Sequence, residues 1–306
     1  MAKYIIKRFI ASIFTLWLVV TLTFFLAHAI PGGPFTSEKK LPPAIEQNLK
    51  AEYGLDKPIS QQYTSYIKNA LHGNFGMSMQ YEGRMVSDII SYSFPNSAKL
   101  GGVAMLFAII VGIYLGAVGA LHQNKWQDGI STVVSTFGVT VPNFVLATLL
   151  IYIFSLKLQI LPAVGFTTPA NYVMPALALG IFPMAFITRY TRSMLVDVLN
   201  QDYIRTAKAK GLSQTIVTYK HALKNSLIPV VTYLGPIVAG ILTGSFVVEA
   251  IFGIPGLGRE FVLSIDNRDY TTILGVTVFF SAILILCNLI VDILYVIIDP
   301  RIKLQN

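Results

Sequence analysis

The chain has 306 residues and a net charge of +8, with 54% hydrophobic residues against 12% charged ones. A soluble globular protein carries roughly 25% charged residues, so about half of the usual charge is missing. A soluble fold is excluded on that ground, and the positive balance is not a nucleic-acid signature. The single cysteine, Cys287, excludes an intrachain disulfide.

Six runs contain no Asp, Glu, Lys or Arg: 9–30, 100–121, 130–156, 166–188, 225–248 and 271–291. Each exceeds the roughly 18–20 residues that span a hydrocarbon core as a helix. The sequence therefore predicts an all-α integral membrane protein with six transmembrane helices. Apolar residues run continuously rather than at every second position, which excludes a membrane barrel. The first run ends in Ala27-His28-Ala29, similar to a small-x-small cleavage site. It is longer than the roughly 7–15 apolar residues of a signal peptide, so it is expected to stay as a span.

After residues 1–30, residues 31–94 form the only large excursion between spans. Pro31-Gly32-Gly33-Pro34 must leave the helix. A short helix is predicted from Pro43, a favourable first position, to Tyr53, with Gly54 ending it. Ser60 is the predicted cap of a second helix. That helix places Tyr63, Tyr66, Ile67, Ala70 and Leu71 on one face before Gly73, a stripe expected to pack on the membrane part.

Residues 95–306 form a five-helix core with a cytoplasmic loop at 194–229. Gly112-x3-Gly116 and Gly240-x3-Gly244 predict close helix approach. Pro142, Pro183 and Pro236 predict kinks that free backbone carbonyls. The third to fifth spans also carry Thr136, Thr140, Asn143, Thr232 and Thr243, the candidate lining of a pathway. Asp292 is the one acid well inside a span, and it lies near one end. Glu249 sits at the outer end of the fifth span. Neither position makes ion-coupled transport, the rival class, the better reading.

Orientation follows from Lys and Arg. With the N-terminus inside, segments 1–8, 122–129, 189–224 and 299–306 hold thirteen basic residues against four acids. That asymmetry is the cytoplasmic signature, so both termini are predicted inside. No Gly-x4-Gly-Lys-Ser/Thr phosphate loop, His-Glu-x2-His or Gly-x-Ser-x-Gly occurs. The chain therefore offers no ATPase, metallohydrolase or serine-hydrolase signature. His28, His72, His122 and His221 are too scattered for a metal cluster.

The cytoplasmic loop is the most informative segment. Tyr203–Lys210 is helix-forming, with Lys208 and Lys210 near its C-terminal end, where the dipole favours cations. Gly211 suits the left-handed position after a helix. Ser213 can cap a second helix, predicted to run through Lys224 before Pro229. Topology enforcement or binding of anionic lipid headgroups would explain the charges. A protein socket receiving a short helix would explain the small and apolar residues at the turn.

The segments Thr206-Ala207-Lys208-Ala209-Lys210-Gly211-Leu212 and His221-Ala222-Leu223-Lys224-Asn225 carry a resemblance. So do Ile251-Phe252-Gly253-Ile254-Pro255-Gly256-Leu257-Gly258, Asn267-Arg268-Asp269-Tyr270, the early Pro31-Gly32-Gly33-Pro34-Phe35 and the tail Asp299-Pro300-Arg301. In that order they resemble binding-protein-dependent ABC importer permeases of the peptide/nickel branch, most of all the B-type membrane subunit of oligopeptide permeases. Arg205 stands where the general EAA-type loop has glutamate, and Pro229 lies farther from Gly211 than in that pattern. An ion-pair role for the glutamate is not carried over.

The resemblance implies a type I importer permease fold in a bacterial inner membrane. It implies a coupling helix that enters a groove on a cytoplasmic ATPase through Arg205, Thr206, Ala207, Lys208, Ala209, Gly211 and Leu212. Gly253, Pro255, Gly256, Gly258, Arg268 and Asp269 would then form an extracytoplasmic docking or gating element. ATP and Mg would be bound by two partner ATPase subunits and no cofactor by this chain. A sister permease, an extracytoplasmic substrate-binding protein and the lipid bilayer complete the implied partners. Oligopeptides are the implied substrate, with dipeptides, nickel or another small solute as alternatives.

Overall fold

A computed structural model describes residues 2–29, 34–35, 42–242 and 244–298. The elements are helices α1 (Ala2–Ala29), α2 (Pro43–Glu52), α3 (Ile59–Leu71), α4 (Val86–Leu121), α5 (Trp126–Thr140), α6 (Asn143–Leu150), α7 (Ala170–Leu199), α8 (Asp202–Ala209), α9 (Gln214–Ile216), α10 (Lys224–Leu242), α11 (Phe246–Phe252), α12 (Leu257–Asp266) and α13 (Tyr270–Ile298). Wider π-helical turns extend α6 over Ile151–Lys157 and join α9 to α10 over Val217–Leu223. Among the described residues the only β pairing is an isolated bridge between Met77 and Met85.

Among the described residues four helices are long and apolar enough to cross a membrane: Ile6–Ala29, Val86–Leu121, Ala170–Leu199 and Tyr270–Ile290. The two further runs expected to be spans form helix pairs that are sharply bent. α5 meets Asn143–Lys157 at 106°. The cause is Pro142, which pushes Val141 out of the helical region to φ −82°, ψ 121° and ends α5. Gln214–Val231 meets Leu234–Leu242 at 53°. Pro236 lies four residues after Thr232, the carbonyl its ring displaces. Pro229, by contrast, lies inside α10 rather than at a break. The loop helix and the fifth span are one continuous helical run.

The chain divides into two compact units, 1–97 with 255–285 and 98–254 with 286–306. In the first, α3 packs on α1. The Tyr63 hydroxyl lies 2.7 Å from Thr21 Oγ1. The Tyr63 ring stacks on Phe25 at 5.6 Å, and Tyr66 stacks on Phe24 at 6.0 Å. The apolar stripe read from the sequence is therefore used internally, except that Leu71 is exposed. α2 ends as expected, with Gly54 at φ +67°. α3 starts earlier than expected: Pro58 is the cap residue, and its carbonyl accepts from Gln61 and Gln62 N–H, which leaves Ser60 inside the first turn. A second cluster packs Val86, Ile90, Leu257 and Val276 against Phe75, Phe94, Phe261, Phe279 and Phe280.

In the second unit α7 is the central helix. Its neighbours approach closely enough that only glycine fits. A Cβ on Gly116 would sit 2.6 Å from the Thr188 carbonyl oxygen, and one on Gly112 2.9 Å from Ile187. Gly138 of α5 meets Ala185 at 2.8 Å, and Gly180 of α7 meets the Ala104 carbonyl at 2.7 Å. The Gly112–Gly116 expectation holds. Gly240 and Gly244 do not act as such a pair: a Cβ on Gly240 would meet nothing within 4 Å, and Gly244 turns the chain at φ +92°.

Gly116→Ala should destabilise the protein by about 1–3 kcal/mol, the usual cost of overpacking. Gly102→Ala, where a Cβ meets nothing within 4 Å, should be neutral or stabilising by up to about 1 kcal/mol through helix propensity. Thermal unfolding of the two purified variants checks both signs.

Candidate functional site

α7 ends at Leu199, and Asn200 and Gln201 turn the chain into α8. Asp202 lies in the first turn of α8 and Lys208 in its last, both matched to the helix dipole. Gly211, at φ +75°, terminates it: Gly211 N–H donates to the Lys208 carbonyl at 3.0 Å and Leu212 N–H to the Ala207 carbonyl at 3.4 Å. These are the two bonds of a Schellman cap, and the left-handed φ costs a residue with a Cβ about 1–2 kcal/mol. The Ser213 hydroxyl then accepts from Ile216 N–H at 3.4 Å and starts the next helix, as the sequence predicts.

One face of this hairpin belongs to the core. Ile204 and Ala207 pack with Ala120, Leu195, Val217 and Ala222. Val217 and Ala222 are five residues apart, so an ordinary α-helix would separate them around its circumference. The π turn, with its i→i+5 bonding, brings them onto one face. Asn225 Nδ2 donates to the Tyr203 hydroxyl at 3.1 Å and ties the two arms together.

The opposite face is free of the core. Arg205, Thr206, Lys208, Ala209, Gly211 and Leu212 are exposed, whereas Ala207 turns inward and its methyl group is not presented to solvent. Arg205 makes a surface pair with Asp202 at 3.7 Å. Sequence reasoning missed Ile216 and Tyr219, large apolar side chains exposed beside the turn at 43% and 64%. Their three-residue spacing, out of phase with buried Val217 and Ala222, was the signal for them.

Close to this element, Arg192 of α7 grips Asp128 in a two-pronged ion pair, Nε to Oδ1 at 2.5 Å and Nη2 to Oδ2 at 2.7 Å. Asp128 lies in the first turn of α5 and also accepts from Asn124 N–H at 2.9 Å. The pair fixes the start of α5 to α7.

The motif residues after α11 serve different ends. Gly253 repeats the left-handed cap at φ +65°, with Ile254 N–H donating to the Glu249 carbonyl at 2.8 Å. Glu249 itself is fully buried. In the first unit, Pro255 accepts from Asn96 Nδ2 at 3.0 Å, and Leu257 N–H donates to Ser97 Oγ at 2.8 Å. Gly256 and Gly258 are buried. Arg268, at φ +57°, closes α12 and delivers Asp269 to the N-cap of α13.

Asp269 is 1% exposed, so it is no exposed docking group. Its Oδ2 accepts from the Ser78 hydroxyl and from Thr272 Oγ1 at 2.7 Å. Its Oδ1 accepts from Met79 N–H, Thr271 Oγ1 and Thr272 N–H, at 3.1, 2.9 and 3.1 Å. The carboxylate thus caps a helix and clamps the 76–86 turn, where Ser78 N–H also donates to the Arg84 carbonyl at 2.8 Å.

Of the candidate pathway residues, Thr136 and Thr140 share a face of α5, and Asn143 follows across the Pro142 bend. The Thr140 hydroxyl is spent on the Thr136 carbonyl at 2.9 Å. Thr243, residues 31–33 and 299–301 lie outside the described residues, as do the side chains of Thr232 and Asp292. Among the described residues no three His, Cys, Asp or Glu side chains gather as metal ligands.

The arrangement is that of an all-α protein with several membrane-length helices and an ordered loop presenting a mixed apolar and basic face. Residues 108–304 match the family model of the binding-protein-dependent transport system inner membrane component. Residues 1–107 match the model of the N-terminal region of such membrane components. The chain belongs to the family of binding-protein-dependent transport system inner membrane components.

It is 49% identical over 306 residues to the dipeptide transport system permease protein DppB of Bacillus subtilis, covering 100% of this chain and 99% of that one. It is 45% identical over 305 residues to the oligopeptide transport system permease protein OppB of Haemophilus influenzae, covering 99% and 100%. The Escherichia coli OppB is 44% identical over 306 residues, with 99% and 100% covered. The crystal structure of an amino acid ABC transporter with histidines shares the fold at a TM-score of 0.52 and 16% identity, over 71% of this chain and 95% of that chain.

Asp269→Ala should cost about 3–5 kcal/mol. It removes a helix cap and leaves several buried donors without an acceptor. Limited proteolysis should then cut faster between Asn74 and Met85 than in the native protein, with the 202–223 loop cut at its native rate.

Proposed function

We propose that this chain is a permease subunit of an ATP-driven, binding-protein-dependent importer of peptides. The observation that carries this reading is the loop at 202–223. It is capped on both sides of Gly211, anchored by Ile204, Ala207, Val217 and Ala222, and exposed along Leu212, Ile216 and Tyr219. A loop needed only for topology or lipid attraction has no use for such anchoring. A groove on a cytoplasmic ATPase does, because force passes between two subunits only through a packed element.

The contact face is Arg205, Thr206, Lys208, Ala209, Gly211 and Leu212, joined by Ile216 and Tyr219, with Ala207 supporting it from behind. Two ATPase subunits bind and hydrolyse the nucleotide, and this chain supplies no site for it. A sister permease, expected to be a different chain, completes the translocation path, and an extracytoplasmic binding protein delivers the substrate. Each bent pair counts as one span, which gives six, with both termini inside. Peptides are favoured as substrate by the relatives named for dipeptide and oligopeptide transport, and oligopeptides are the chosen reading.

The test is ATP-dependent peptide uptake by the complete importer in proteoliposomes. Leu212→Asp and Ile216→Asp change exposed side chains, so the complex should still assemble and fold, yet uptake should fall by about tenfold, the effect of about 1.4 kcal/mol. Gly211→Asn should retain most uptake because Asn tolerates the left-handed region, whereas Gly211→Val should lose it. Native uptake by both aspartate variants would sink the docking role. Uptake without any ATPase subunit would sink the importer class.

A further inference from the structure

His28 lies half-buried in the last turn of α1, with an oxygen acceptor at each ring nitrogen. Nδ1 is 2.8 Å from the Phe24 carbonyl oxygen, and Nε2 is 3.1 Å from Gln62 Oε1 of α3. The Gln62 amide is not free to turn over. Its Nε2 donates to the Lys57 carbonyl at 2.8 Å and to the Leu55 carbonyl at 3.3 Å, and only the N–H side of an amide can face a carbonyl. Oε1 is therefore the atom presented to the ring. A neutral imidazole carries one N–H and satisfies one of these two acceptors, whereas the imidazolium satisfies both. His72 and His122 differ: each ring meets the carbonyl four residues earlier, which a single proton serves.

The surroundings favour the cation. The C-terminal end of a helix attracts positive charge. The rings of Phe24 and Tyr270 lie 4.2 and 5.7 Å from the imidazole, within cation–π range. Around the same space the end of α2 brings Glu52 and the α2–α3 link brings Lys57, both exposed and opposite in sign. Tyr53, Tyr63, Tyr66 and Tyr270 are the other titratable groups there, and Asp269, beside Tyr270, is already bonded to its own donors. Histidine is the side chain of this set that ordinarily changes charge between about pH 5 and 8.

We propose that His28 is a proton-operated latch between α1 and α3. With the ring protonated, Nδ1–H donates to the Phe24 carbonyl and Nε2–H to Gln62 Oε1, which fastens α3 to α1 beside the Tyr63–Thr21 contact. Loss of one proton sets a nitrogen lone pair against an oxygen lone pair. The bond to Gln62 is the one that opens, because Phe24 belongs to the same helix as His28 and cannot move away. Gln62 also holds the Leu55 and Lys57 carbonyls, so the loosening reaches the link between α2 and α3. The fastening is thus complete at low pH and lost as pH rises. Under the six-span reading above, this end of α1 is extracytoplasmic and the latch answers to the pH outside. The latch itself does not rest on that reading.

The experiment is hydrogen exchange, read by mass spectrometry, on the assembled importer in nanodiscs at about pH 5.5 and about pH 8. Rates are divided by the intrinsic amide rate at each pH. Amides of residues 59–71 should be about three- to tenfold better protected at the lower pH, the value of one hydrogen bond. The difference should vanish in His28→Phe, which keeps a ring beside Phe24 and Tyr270, and in His28→Gln, which keeps a neutral polar side chain. His72→Gln, at the end of α3, should retain it. Equal protection at the two pH values in the native protein, or native pH dependence in either His28 variant, would overturn the latch. The same measurement in sealed vesicles, with the importer in one orientation and the two faces at different pH, reads the side. A response to the cytoplasmic pH alone would overturn the orientation and leave the latch standing.

Discussion

Backbone-to-backbone contact between α4 and α7 is the constraint on which the second unit depends. In a bilayer, helices gain little hydrophobic energy by leaving lipid for one another, so close packing has to supply the association. Gly112, Gly116 and Gly180 permit it, and the Thr188 and Ala104 carbonyls lie where a Cβ would otherwise be. With α4 and α7 held this way, Leu195 of α7 and Ala120 of α4 share one small core with the loop. The hairpin at 202–223 therefore rests on the same helix pair that the glycines bring together.

Two buried carboxylates show how the chain uses charge. Asp128 is matched by a two-pronged guanidinium and a backbone N–H. Asp269 is matched by five donors at a helix N-terminus. A buried charge is tolerable when its lone pairs are filled, and in both cases they are filled by groups of the same unit. These acids position helices. They give no support to an ion-coupled mechanism, which would need groups that exchange protons or ions with a pathway.

Much of the fold was legible because its signals are local. Uncharged runs gave the long helices, and Gly54, Gly73, Gly211 and Ser213 ended or began helices where expected. The misses share a tertiary or geometric cause. Counting residues in 130–156 gives the length of a span but not the 106° turn at Pro142. The π turn at Val217–Leu223 puts Val217 and Ala222 in one cluster with Leu195 and Ile204, a packing that no local propensity encodes. Asp128 and Arg192 are 64 positions apart, and Asp269 and Ser78 are 191 apart. Motif matching singled out Asp269 for a docking or gating role. Only the packed structure reveals that its work is internal.

The loop at 202–223 is therefore better understood as an outgrowth of the α4–α7 core than as a connector between long helices. Movement imposed on its exposed face must then pass directly into those helices. Hydrogen exchange of the purified protein tests this most directly, because it reads local opening residue by residue. Amides of residues 204–209 and 217–223 should exchange at rates within about tenfold of those in the last two turns of α7, the sign of one cooperative unit. Rapid exchange across the whole loop while α7 stays protected would contradict the account.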